Sequence, residues 1–321
     1  MQRATQGVFW ILAAVTVMAL AAEQSDLAHL YVRVEDHGKA KQGLVAKNFR
    51  VIEGEKVRIV SSAEPAGPAS VVLLVENSEA SWKYLNEVNS AMRGFLKTAP
   101  PWHSYSLVSY TEDPRVEAPM TSQASRIAQA YAGRKQSAWG RVAAYDALDQ
   151  VLDEVEKLEG FRAVVVIGSG EDAFSQAEFE DLVRRVELTD VVVYSVQLGG
   201  SQVPALGTPK GLEDLQDIVS LGDGLSAEPP DLRRGEMFLR AIADRSGGDF
   251  YCPNCEAGYR TAIEEIVDSL ESYYRVSYRR ATPPNWGFAK LRVTSFRIDD
   301  DVRYDYRVKV RPGWRFSGSN P

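Results

Sequence analysis

Few side chains in this chain are placed to do chemistry. Cys252 and Cys255 frame a Cys-Pro-Asn-Cys motif and are the only cysteines present. The motif follows a short apolar segment and precedes a helical pattern. A thiol at a helix N-terminus is acidified, as in a thiol–disulfide exchanger. In an oxidising compartment the same spacing also suits a local structural disulfide. A metal site would need two further ligands. The three histidines, His29, His37 and His103, are scattered and offer none. Gly168-Ser169-Gly170 lies where a strand turns toward a helix. It does not meet the Gly-x-Ser-x-Gly pattern of a nucleophile elbow. Glu171 and Asp172 are adjacent in sequence and so point apart, which makes a poor acid–base pair. No catalytic set assembles, and the expectation is a protein that is not an enzyme.

The elements that carry these residues divide the chain into segments. Residues 27–64 read as strands, because Leu30, Val32 and Val34 alternate with Tyr31, Arg33 and Glu35. Asp36-His37-Gly38 and Glu53-Gly54-Glu55 are turn signals. Residues 70–272 change character. Val71–Val75 and Ala163–Ile167 are wholly apolar runs, as in strands buried on both faces. Helical spacing recurs between such runs, for example at Ala144, Leu148, Val151, Leu152 and Val155. Strands alternating with helices imply a doubly wound, mostly parallel α/β sheet. Residues 273–314 return to alternation, with Val302, Tyr304, Tyr306, Val308 and Val310 on one face. Each terminal set has too few strands to stand alone. The two sets are therefore expected to pack as one smaller β-sandwich-like domain, with the α/β domain inserted between them.

The loops of the central segment resemble those of the von Willebrand factor type A (vWA) domain. That family holds a divalent cation in a metal-ion-dependent adhesion site. Its pattern is Asp-x-Ser-x-Ser after the first strand, a Thr before a later helix, and an Asp-Gly after the fourth strand. A hard cation wants oxygen ligands in octahedral geometry. Here the first loop reads Glu76-Asn77-Ser78-Glu79-Ala80-Ser81. Glu76 stands where the family has Asp, and Ala80 where it has the second Ser. Val142 takes the Thr position, in a loop ending Ala-Ala-Tyr-Asp-Ala-Leu. Ser169 takes the place of the later Asp. Only Ser78 keeps its register. The methyl groups of residues 80 and 142 cannot bind a cation, and a Glu misplaces its oxygens by about 1.5 Å. The resemblance thus implies a degenerate site with no cofactor, or at most weak Mg²⁺ or Mn²⁺ binding through Glu76, Ser78, Glu171 and Asp172. Trp139, Glu171 and Asp172 are the candidate partner-binding surface. Trp139 is either an anchor for a partner or a side chain folded back on the domain.

The flanks extend the likeness. Val32–Asp36 with Gly38, Gly43-Leu44, Asn48–Val51 and Glu53-Gly54 resemble the leader of the vWFA-related family abundant in Acidobacteria. Ser246-Gly247-Gly248, Tyr273–Tyr278 and the closing Arg311-Pro312-Gly313-Trp314 do so as well.

Composition bounds the remaining classes. Hydrophobic content of 45% and charged content of 25% are globular values. A net charge of −7 argues against a nucleic-acid partner. Residues 1–21 read as a signal peptide: Arg3, then an apolar run from Gly7, then Ala19-Leu20-Ala21 at cleavage spacing. The run is short for a membrane span, so the mature chain is expected to carry none. The chain is expected to be secreted or periplasmic, or anchored if the leader stays uncleaved. The function expected is an extracytoplasmic protein-binding or scaffold module with an unidentified protein partner. The alternative is a thiol–disulfide redox protein using Cys252 and Cys255. Segment 199–232 is longer than an ordinary strand-to-helix loop. Its Leu212, Leu215, Ile218 and Val219 recur at helical spacing, so it is expected to cap the degenerate site, with a surface loop as the alternative.

Overall fold

The computed structural model describes residues 27–135, 141–199, 230–280 and 287–316. The leader at 1–21, Trp139 and most of segment 199–232 lie outside the described residues. The N-terminal strands are β1 (Leu27–Asp36), β2 (Lys39–Ala40), β3 (Phe49–Glu53), β4 (Lys56–Arg58) and β5 (Val60–Pro65). The α/β segment follows with β6 (Ala69–Glu76), α1 (Leu85–Thr98), β7 (Ser104–Tyr110) and β8 (Pro114–Thr121). Next come α2 (Ala124–Gly133), α3 (Ala144–Val155), β9 (Phe161–Gly168), α4 (Phe179–Leu188) and β10 (Val192–Gln197). It ends with α5 (Pro230–Ser246), β11 (Phe250–Tyr251) and α6 (Glu256–Leu270). The chain then adds β12 (Tyr273–Arg279), β13 (Gly287–Asp299), β14 (Val302–Lys309) and β15 (Gly313–Phe316).

The apolar runs form a six-stranded sheet in the order β11-β10-β9-β6-β7-β8, parallel except for β8. Alternation along each strand sends side chains to two cores. Val71, Leu73 and Val75 face α1, α2 and α6, whereas Val72 and Leu74 face α3, α4 and α5. The sheet is therefore doubly wound, with its first and fourth strands, β6 and β9, side by side at the centre.

The terminal strands hydrogen-bond in one nine-stranded antiparallel sheet among the described residues, in the order β4-β3-β13-β14-β1-β12-β5, with β15 on β13 and β2 on β1. The expectation from sequence was a sandwich-like unit. The strands instead form one continuous sheet that curls on itself. Phe49 of β3 and Tyr274 of β12 stand four strands apart in the order, yet their rings lie 5.5 Å from centre to centre. In a flat sheet they would be roughly 19 Å apart. Leu30, Val32, Val34, Val51, Val276 and Leu291 fill the core the curl encloses. Two tight turns serve this sheet: His37-Gly38 and Asp300-Asp301 all have positive φ, as two-residue hairpins need.

The curled sheet docks on the edge of the α/β domain where the parallel strands begin. Asp249, just before β11, accepts from Arg33 of β1 and Lys309 of β14. Burial works against the Asp249 charge, but Arg33 and Lys309 outweigh it and hold its carboxyl below the usual range. Arg311 is buried and donates to the backbone carbonyls of Glu187 and Thr189 at the C-terminus of α4. That end of a helix carries partial negative charge. Burial pushes the Arg311 guanidinium down to about 10, still charged at neutral pH. His103, also buried, accepts a hydrogen bond at Nδ1 from the Ala69 amide (2.9 Å), and its Nε2 faces Glu271 (2.9 Å).

Two outcomes are expected. Arg311→Ala leaves the α4 carbonyls without their cation and should cost about 3 kcal/mol in denaturant melts. An Arg311→Ala protein as stable as wild type would refute the lock. Burial lowers the His103 pKa against the pull of Glu271. The unfolded chain therefore takes up this proton first, and stability is lost as pH falls below about 6.5. Thermal melts between pH 7 and 5 should show this loss. His103→Asn, whose amide oxygen still accepts from Ala69, should flatten the profile.

Candidate functional site

Crossovers from β6 and β9 leave toward opposite faces, which opens a crevice beyond their C-terminal ends. Glu76 ends β6, and Ser169 follows the last residue of β9. Burial of the flanking strands brings these loops together. The Glu76 carboxylate spans the gap. Its Oε1 accepts from Ser78 Oγ at 2.5 Å. Its Oε2 accepts from the Ser169 amide at 2.6 Å and from Ser169 Oγ at 2.8 Å. Ser78 Oγ in turn accepts from the Ser81 amide (3.2 Å), and Ser169 Oγ from the Glu171 amide (3.1 Å). Glu76 is 3% exposed, and Ser78 and Ser169 are fully buried. The extra methylene relative to Asp is what lets the carboxylate reach the neighbouring loop.

The walls of this site are tight. Tyr110 is buried beside Glu76; burial and then the Glu76 charge push its phenol pKa well above the ordinary value. Its hydroxyl has no hydrogen-bond partner among the described residues. A Cβ at Gly168 would lie 2.4 Å from that hydroxyl, so only glycine fits there. Gly235 of α5 packs against the next loop: a Cβ on it would lie 2.4 Å from the Ser169 carbonyl oxygen. The cap expected of segment 199–232 falls on residues that lie mostly outside the described ones. Leu212, Leu215, Ile218 and Val219 lie outside the described residues.

The other expected positions fall into place as follows. Val142 is buried with Leu148 and Val166, and its carbonyl accepts from the amides of Ala173 (2.9 Å) and Phe174 (3.2 Å). Ala80 opens the short 3-10 turn Ala80–Tyr84. Asp172 accepts from the Tyr145 amide (3.1 Å) and Ser175 Oγ (2.5 Å), so it caps the first turn of α3. Asp146 reciprocates by accepting from the amides of Gln176 and Ala177, both at 2.9 Å. Sequence reasoning placed Asp172 on a binding surface and missed this interlock, which the Asp-x-x-Ser spacing of 172–175 could have signalled. It also missed Phe174, which is 46% exposed and lies under the Arg141 guanidinium at 4.2 Å.

The residues present do not fit an octahedral cation. Both carboxylate oxygens of Glu76 are already engaged, and Val142 offers methyl groups. No group of three or more His, Cys, Asp or Glu that could hold a metal occurs among the described residues.

No disulfide joins Cys252 and Cys255 in this structure. The Cys252 sulfur turns toward Gln197 at the end of β10 and donates to its Oε1 at 3.4 Å. Desolvation and the nearby Glu236 charge push this thiol up. A helix N-terminus was expected to push it down. The shift runs against nucleophilic exchange.

An α/β domain with this strand order and this oxygen-lined crevice is a doubly wound domain whose ligand edge is sealed by its own side chains. The chain is similar in structure to von Willebrand factor type A domain proteins. One is the von Willebrand factor type A structure from Catenulispora acidiphila (12% identity, 90% of this chain and 74% of that chain, TM-score 0.44). Another is an aerotolerance-related membrane protein from Bacteroides fragilis (14% identity, 63% and 99% covered, TM-score 0.46). A third is proximal thread matrix protein 1 from the mussel byssus, whose MIDAS motif is occupied by zinc (14% identity, 68% and 49% covered, TM-score 0.44). No protein-family model matches the chain. No curated protein matches it.

Hydrogen bonding rather than charge should be what Glu76 supplies. Glu76→Gln keeps an acceptor toward Ser169 and should cost less than about 1 kcal/mol, whereas Glu76→Ala strands three donors and should cost about 3 kcal/mol. Equal losses in chemical denaturation would contradict this.

Proposed function

We propose that this chain is an extracytoplasmic protein-binding or scaffold module, not an enzyme, in which an internal carboxylate bridge replaces the cation of a metal-dependent adhesion site. The observation that carries the reading is Glu76, whose two oxygens accept from Ser78 and Ser169 across the switch point. A cation entering there would have to displace all three donors. The rim around the bridge is the surface offered to a partner. Arg141 and the half-exposed Phe174 form its aromatic and cationic part, with Glu171 beside them. Arg and aromatic side chains are favoured anchors of protein interfaces. Export rests on the apolar leader at 1–21, giving a secreted or periplasmic protein, anchored if that leader is retained. No described helix is long and apolar enough to cross a membrane. The net charge of −7 favours a protein partner over nucleic acid.

Calorimetry with Mg²⁺ and Mn²⁺ tests the reading. No stoichiometric binding is expected for the native protein. The combined variant Glu76→Asp, Ala80→Ser, Val142→Thr and Ser169→Asp should gain it, because it restores short oxygen ligands. Micromolar stoichiometric binding by the native protein that disappears in Ser78→Ala would overturn the proposal. Capture of an envelope protein by the native chain, lost in Phe174→Ser, is the matching test of the rim.

A further inference from the structure

Beyond residues Phe296 and Tyr306, β13 and β14 continue as a two-stranded ribbon closed by the Asp300-Asp301 turn. Every residue from 297 to 305 is exposed, including Ile298 at 64%, Val302 at 50% and Tyr304 at 48%. A lone hairpin of this kind is marginal in water. The body of the sheet leaves it unsupported. β1 accompanies β14 only over Arg307–Lys309, through Glu35, Val34 and Arg33. At Glu35 and Asp36 β1 already pairs with β2 on its other edge and turns away at His37-Gly38.

The backbone geometry says which groups are left over. The turn closes with the Val302 amide directed to Asp299, so Val302, Tyr304 and Tyr306 direct their backbone groups toward β13. By alternation Arg303 and Asp305 direct theirs outward. No backbone hydrogen bond outside the hairpin reaches either residue among the described residues. An open edge of this sort is a template for another strand.

The sequence of that edge is complementary to itself. Residues 301–307 read Asp-Val-Arg-Tyr-Asp-Tyr-Arg. Laid antiparallel against a second copy and centred on Tyr304, Arg303 of each chain faces Asp305 of the other. Tyr304 then meets its equivalent, and Val302 meets Tyr306. A shift by two residues brings Arg303 against Arg303, so charge selects the register. Within one chain Arg303 and Asp305 already touch, at 2.7 Å. Cross-chain pairing completes a checkerboard of four alternating charges instead of breaking that contact. Two outward residues per chain supply the hydrogen bonds, and the ribbon becomes a four-stranded antiparallel sheet.

We propose that the edge of β14 from Val302 to Tyr306 is a self-association surface, and that its occupant is the same edge of a second copy of this chain. This reading does not depend on the state of the Glu76 crevice. The interface is narrow, so dimerisation should be weak, concentration-dependent and reduced by salt. Sedimentation equilibrium on the mature protein at low ionic strength tests it. The native chain should show a monomer–dimer equilibrium. Arg303→Asp places like charges opposite each other and should raise the dissociation constant by about tenfold or more. The exchange Arg303→Asp with Asp305→Arg should restore it. Asp305→Pro removes an outward amide that the hairpin itself does not use, so it should abolish dimerisation with the circular dichroism spectrum unchanged. A native chain that stays monomeric over the whole range overturns the proposal. So does a dimer that survives both Arg303→Asp and Asp305→Pro.

Discussion

A carboxylate removed from water must find donors, and the loops at the centre of this protein are arranged around that demand. Glu76 is nearly fully buried, and its partners come from two loops on adjacent strands. Ser78 must turn inward, Ser169 must present both amide and hydroxyl, and Gly168 must lack a side chain so that Glu76 and Tyr110 can share the space. The first helix of one crossover and the close approach of α5 to the Ser169 loop then follow from where those loops are held. A site that needs a bound ion to bring its oxygens together is disordered in charge until the ion arrives. Here the Glu76 carboxylate is already held by three protein donors.

The two sheets divide the work by edge. Asp249, Arg33, Lys309 and Arg311 bind the curled antiparallel sheet to the edge where the parallel strands begin. The edge where those strands end, with Glu76, Ser169, Phe174 and Arg141, faces away from that junction. In a doubly wound fold this second edge is where ligands are met. Burying charges at the first edge fixes the relative position of the two sheets without using any residue of the second.

Much of this was legible in the sequence because it rests on periodicity. The apolar runs Val71–Val75 and Ala163–Ile167 could only be strands covered on both faces, and they lie at the centre of the parallel sheet. Alternation in β1 marked a half-buried strand and Asp36-His37-Gly38 a turn, whereas the alternation in β14 marked a strand whose first half is exposed on both faces. The curl was not legible, since the contact between Phe49 and Tyr274 joins residues far apart in the chain and depends on accumulated twist. The residue types at Glu76, Val142 and Ser169 could be read, but the direction of the Glu76 carboxylate could not. Nothing in the sequence alone says that a Glu will fold onto the next loop. Cys252 misled for a related reason: helix position argued for an acidified thiol, while burial near Glu236 prevailed. The capping role of Asp172 was not read, because capping and binding use the same side chain.

The way the chain enters and leaves the α/β domain has a consequence for its biogenesis. β5 ends at Pro65 and β12 begins at Tyr273, and these two strands are hydrogen-bonded neighbours. Everything between them is a loop on the curled sheet, a whole domain in size. During synthesis the α/β domain has all its strands in hand before β12 exists, and it can close on its own. The N-terminal strands cannot: β1 needs β12 and β14, and β3 needs β13. Apart from the short β1–β2 and β3–β4 hairpins, their ladders wait until the last segment is made. Contacts of such sequence separation form late and slowly. The chain thus delays completion of its curled sheet to its final strands.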